Sequence, residues 1–105
     1  MVIMNYITIT GANHQFGMEV FLVGQILYLE KDEYNEFDDE VIRVMSDANV
    51  IYGYVANSVY TVARGTKSAG CIYDTFEHVQ KIEVNFINGN SVIAEFEEDR
   101  KIKVI

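Results

Sequence analysis

The chain has no proline. No pyrrolidine ring therefore interrupts a strand, and chain reversals fall to glycine and to Asn/Asp turns. It has one cysteine, Cys71, which cannot close an intrachain disulfide, so a reducing cytoplasm is the expected location. Cations are scarce: eight Lys and Arg stand against sixteen Asp and Glu, for a net charge of −8. No apolar run approaches the roughly 18 residues that span a bilayer. The first six residues lack the basic start and long apolar stretch of a secretory signal, so no membrane association is expected. What is present is apolar content: half of the 105 residues, enough for one domain, 1–105, with a core of its own.

The charge is uneven. Residues 1–63 hold nine acids and two bases, whereas residues 64–105 hold seven acids and six bases. An acidic chain repels polyanions at long range. That disfavours tight, sequence-independent binding to duplex DNA, which depends on neutralising many phosphates. A small pocket that grips one strand end stays open as a reading.

Periodicity points to a mainly β protein. Residues 3–10 read as a first strand ending at Gly11. A loop between Gly11 and Gly17 follows. Residues 19–30 read as a long strand bent or bulged at Gly24. Residues 31–36 are a charged connection. Residues 41–45 and 50–55 form a hairpin about the turn Ser46-Asp47-Ala48-Asn49. Val59, Val62 and Ala63 fit helical spacing, with Asn57 or Ser58 as cap, so 56–63 is expected to be a short helix. A glycine-bounded loop, 64–70, and a second helical piece within 71–78 come next.

At the end of the chain, Ile82, Val84 and Phe86 alternate with polar residues, as do Val92, Ala94 and Phe96. Asn88-Gly89-Asn90 between them is a strong hairpin signal of the type I′ kind. Residues 101–105 read as a last edge strand. Six or seven strands with one or two short helices after the fourth imply a small, partly open antiparallel β-barrel, OB-like, with a β-sandwich as the alternative.

Several chemistries find no support. The Gly11–Gly17 loop carries Met18 where a phosphate-binding loop needs lysine. His14, Cys71 and His78 lie far apart, without metal-ligand spacing. No nucleophile–base pair or paired catalytic carboxylates stand out, so neither an enzyme nor a cofactor is expected. Arg64-Gly65-Thr66-Lys67-Ser68-Ala69-Gly70 has the composition of an anion cradle, with two cations and two hydroxyls among glycines. Phe21, Phe86 and Phe96 sit at core periodicity. Phe16, Phe37, Tyr52, Tyr54 and Tyr60 lie near loop ends, where a ring can stack on a base.

Asn35-Glu36-Phe37-Asp38 packs an amide, a ring and a carboxylate into four residues. Such a set can fix a turn, or hold one nucleotide by stacking and hydrogen bonding. Together with Asp39-Glu40-Val41-Ile42-Arg43-Val44 and the later Tyr52-Gly53-Tyr54-Val55, it resembles the HIRAN domain over about residues 8–76. HIRAN domains are small β-barrels found in some DNA-remodelling ATPases, such as helicase-like transcription factor, and as stand-alone bacterial proteins. The family pattern is similar to Asn-x-[Tyr/Phe]-Asp-x-x-Ala-Ile-x-Val, with Val41 here in place of alanine.

The resemblance implies capture of the 3′ end of single-stranded DNA. Phe37 would stack the terminal base, Asp38 would accept a hydrogen bond from the 3′-hydroxyl, Asn35 would shape the pocket and Tyr54 would line it. Asn13 and His14 fall where DNA-binding members have arginine and tyrosine, and Asn57 or its neighbours replace a phosphate-contacting lysine. Arg64 and Lys67 are the candidate substitutes. The leading expectation is thus a non-enzymatic nucleic-acid-binding module. The alternative is an acidic module that has lost DNA contacts and docks a basic protein partner.

Overall fold

A computed structural model describes residues 1–99 of the chain. Six strands form one closed antiparallel barrel in the order β1-β4-β3-β2-β5-β6. They are β1 (Val2–Thr10), β2 (Ile26–Lys31), β3 (Ile42–Met45), β4 (Ile51–Val55), β5 (Val79–Asn88) and β6 (Ser91–Asp99). Inward positions follow the two-residue period of a strand. Ile7 and Ile9, Leu27 and Leu29, Ile42 and Val44, and Ile82 and Val84 are all essentially solvent-free. Each such aliphatic side chain contributes roughly 1.5–3 kcal/mol relative to exposure. Among the described residues no helix is long and apolar enough to cross a membrane.

The barrel closes rather than staying partly open, but one seam is short. β1 meets β4 through only Ile9–Val55 and Thr10–Tyr54. Gly53 permits that approach, since a Cβ there would stand 2.7 Å from the Thr10 carbonyl oxygen. Beyond the seam the connector after β4 takes over the exposed edge of β1. Ala56 N–H donates to the Thr8 carbonyl at 2.8 Å and Lys67 N–H to that of Tyr6 at 2.7 Å. Backbone groups that an open edge would leave unpaired are thus satisfied.

The connector is not helical at 56–63, contrary to the sequence reading. The Ser58 carbonyl accepts from Thr61 and Val62 N–H, a single turn that does not propagate. Val59 is 90% exposed and Val62 and Ala63 are only partly buried, so the apolar stripe is not buried as a face, and short helices depend on packing. The second expected helical piece does form, starting two residues earlier than read, as α1 (Ala69–Ile72) followed by a 3₁₀ turn at Tyr73–Thr75. There the Ser68 hydroxyl caps Cys71 N–H at 3.2 Å, and Ala69 and Ile72 are fully buried.

Three further expectations change. Residues 19–30 are not one bent strand: a 3₁₀ turn occupies Met18–Val20, Gly24 adopts a φ of 87°, and β2 begins at Ile26. The β5–β6 turn has a positive φ only at Gly89 of its two loop residues, the pattern of a type II′ rather than a type I′ turn. Phe86 is not core but 56% exposed. The pairing shifts between Val84–Ala94 and Phe86–Ile93, so Asn85 is an extra residue on β5. That bulge turns Phe86 outward and sends Ile87 toward the core instead. The strand expected at 101–105 lies outside the described residues.

Candidate functional site

The Asn35–Asp38 turn belongs to the long β2–β3 loop. Its local order comes from side chains that bond to nearby backbone, the usual behaviour of Asn and Asp in turns. The Asn35 carboxamide oxygen accepts from Phe37 N–H at 2.9 Å and Asp38 N–H at 3.0 Å. Its amide nitrogen donates to the Asp32 carboxylate at 3.3 Å. Asp38 Oδ1 in turn accepts from Glu40 N–H at 2.9 Å. Asn35 therefore builds the turn. The Phe37 ring is left 95% exposed, and Tyr34 beside the turn 93% exposed.

A second set of contacts ties this loop to the connector. Glu40 Oε1 accepts from the Asn57 side-chain amide at 3.2 Å, and Asn57 Oδ1 accepts from Gly70 N–H at 2.9 Å. Gly70 leaves room for the carboxylate: a Cβ at this position would sit 2.7 Å from Glu40 Oε2. The Asn57 amide is thus held by an acid from the neighbouring loop. Neither Glu40 nor its contact with Gly70, 30 residues away, carries a signal in the sequence.

The electrostatics are one-sided. Residues 32–40 include six acids: Asp32, Glu33, Glu36, Asp38, Asp39 and Glu40. The two bases of the first 63 residues are both engaged within the fold. Lys31 Nζ donates to the Phe76 carbonyl at 2.7 Å and lies 4.4 Å and 5.0 Å from the centres of the Tyr73 and Phe76 rings. Arg43 pairs with Glu30 at 2.5 Å, across the β2–β3 register. Burial raises the Tyr73 hydroxyl above its ordinary pKa of 10.0, and the negative charges of Glu33, Asp39, Asp74 and Asp32 raise it further.

The remaining candidates are dispersed. Asn13 and His14 lie exposed on a 3₁₀ turn of the first loop. Tyr54 is half-buried; it faces Thr10 and Arg43 in register, and the space beside its ring is kept by Gly11, whose Cβ would stand 3.3 Å from it. The Lys67 ammonium donates to the carboxamide oxygen of Asn5, a fully buried residue of β1. The Asn5 amide passes the contact on to Glu98 at 2.9 Å. Arg64 is exposed, and it lines cavities formed by the connector and by β1, β5 and β6. The fold thus unites Asn35, Phe37 and Asp38, joins Asn57 to them through Glu40, and gives Lys67 a structural partner elsewhere.

Among the described residues no group of three or more His, Cys, Asp or Glu is placed to hold a metal ion. No protein-family model matches the chain, and no curated protein matches it. A crystal structure of a protein from Lactobacillus plantarum, a structural genomics target, is similar with a TM-score of 0.63. The two are 14% identical, and the match covers 93% of this chain and 97% of that one. At that identity the likeness is one of fold, extending over nearly the whole of both chains.

Proposed function

We propose that this protein is a non-enzymatic docking module that binds a cationic protein segment through its acidic β2–β3 loop. Tyr34 and Phe37 serve as apolar anchors and the surrounding carboxylates as the charged rim. One observation carries this reading: two almost fully exposed rings stand in a hydrogen-bonded loop with six acids, while both nearby bases are engaged within the fold. Aromatic anchors supply much of the binding energy at interfaces. A field of one sign steers an oppositely charged partner and sets the salt dependence of association.

NMR titration with a Lys/Arg-rich peptide tests the proposal. Shifts should concentrate on residues 32–40 and their neighbour Asn57. Shifts absent from that loop at low salt would reject it.

A second reading, end capture of a single strand as the resemblance to HIRAN domains implies, is favoured by one detail. Asp38 Oδ1 is held by Glu40 N–H, but Oδ2 has no hydrogen bond among the described residues. It stands one residue from the free Phe37 ring. An unpaired carboxylate oxygen beside a stacking ring suits a terminal hydroxyl and base. Short single strands with a free or a blocked 3′-hydroxyl separate this reading from the first, since equal or absent binding to both rejects it.

A further inference from the structure

The outer wall of the barrel holds a concavity, built from elements other than the acidic β2–β3 loop. The bulge at Asn85 turns Phe86 out of the core and sets it directly opposite Ile93 of β6. On the other flank Ile93 pairs with Thr8 of β1, and Tyr6 of β1 points outward, 41% exposed. The result is an apolar floor with a ring on either side. A large ring turned outward by a backbone irregularity, as Phe86 is, is a costly use of apolar surface, and bulges commonly re-aim side chains at functional positions.

The connector forms the lip. Ala63 N–H donates to the Thr8 hydroxyl at 3.0 Å, and the Thr8 and Thr66 hydroxyls meet at 2.8 Å. Between these two anchor points stands Arg64, exposed and without a hydrogen bond or ion pair among the described residues. Tyr6, Arg64, Phe86, Asn88, Ser91 and Ile93 line a cavity of 380 Å³. That volume falls within the roughly 300–1,000 Å³ of small-molecule sites, which combine an apolar wall with a few convergent polar groups.

We propose that this cavity binds one nucleoside monophosphate unit, either free or as a single residue of a strand. The base lies against Phe86 and Tyr6, the Arg64 guanidinium holds the phosphate, and Asn88 and Ser91 offer hydrogen bonds to the sugar or base edge. A wholly apolar ligand would leave the free guanidinium without a role. A polyphosphate carries more charge than one cation can hold. It would also meet Glu95, which pairs with Tyr6 and with Glu83 on the same outward face. A planar ring with one phosphate matches the inventory of two rings, one fork of N–H donors and two small polar groups.

The test is an NMR titration of the intact protein with adenosine 5′-monophosphate, adenosine, inorganic phosphate and a short oligothymidylate. The monophosphate should shift Phe86, Ile93 and Arg64 and bind at least about tenfold more tightly than adenosine or phosphate alone. Arg64→Gln, on the exposed connector, should reduce that affinity about tenfold or more, and Phe86→Ala should do the same. Should Phe86→Ala fail to fold, Arg64→Gln and the shift map decide. Oligothymidylate shifting the same residues identifies a strand as the source of the unit, and shifts from the monophosphate alone identify a free nucleotide. Monophosphate affinity unchanged in Arg64→Gln, or shifts confined to other surfaces, would overturn the proposal.

Discussion

Glu40 and Asn57 meet side chain to side chain at 3.2 Å across 17 residues of sequence. The contact joins the acidic β2–β3 loop to the connector that follows β4. It also decides the local charge. Where the resemblance to HIRAN domains leads one to expect a cation for a phosphate, an amide instead bridges a carboxylate and the Gly70 amide. A phosphate arriving here would meet Glu40 first, at roughly 1 kcal/mol of repulsion per close pair in water and more where solvent is excluded.

Asn35 and Asp38 separate by role. Asn35→Ala removes the acceptor for two backbone N–H groups and should lower stability by about 1 kcal/mol. Asp38→Ala removes one exposed bond to Glu40 N–H and should cost less than about half of that. Urea denaturation of the two variants checks the order.

Gly53→Ala should destabilise the barrel by about 1–3 kcal/mol, the range for an over-packed site. The added methyl would stand 2.7 Å from a backbone oxygen of β1, at a seam only two residue pairs long. Neither strand can give way without breaking that pairing. Thermal melts of wild type and variant give the comparison, and an unchanged midpoint would mean that the seam is looser than its geometry.

Lys67→Met should cost about 1–3 kcal/mol by leaving the fully buried Asn5 carboxamide oxygen without its donor. Arg64→Gln, at an exposed site, should stay within about 0.5 kcal/mol of wild type. Equal effects from the two changes would show that Lys67 is not a structural residue.

Tyr73 makes the stability depend on alkaline pH. Its folded-state pKa is raised, so the native state holds the phenolic proton more tightly than the unfolded chain does. The associated stability is fully present below the unfolded pKa of 10.0 and is lost as pH rises through the higher folded value. Tyr73→Phe should flatten that decline. Denaturant midpoints measured from pH 8 to about pH 11.5, together with the phenolate absorbance, would register it.

The sequence made most of the barrel legible, because strands half in contact with a core alternate. Ile82 and Val84, and Val92, Ala94 and Phe96, all point inward as their spacing requires. The Ser46–Asn49 turn also forms as read: Asn49 adopts a φ of 63° and the Ser46 hydroxyl accepts from the amides of Ala48 and Val50. Phe86 escaped the reading because one extra residue reverses every face beyond it, and nothing at Asn85 advertises the insertion. The first of the two expected helical pieces failed for a related reason, while the second formed close to where it was read. Val59, Val62 and Ala63 have helical spacing, but only 69–72 finds a surface that can bury an apolar pair.

At the site, the composition of the Asn35–Asp38 turn signalled a turn. The engagement of Lys31 by Phe76, of Lys67 by Asn5 and of Asn57 by Glu40 did not show, because each depends on chain segments brought together only by barrel closure.

The most direct measurement is fluorescence anisotropy of a labelled Arg/Lys-rich peptide against wild type and Phe37→Ala, at low and at physiological salt. Docking through the acidic loop predicts binding that weakens as salt rises and falls at least about fivefold when the Phe37 ring is removed. No peptide binding at low salt, with a single strand bearing a free 3′-hydroxyl bound instead, would contradict it.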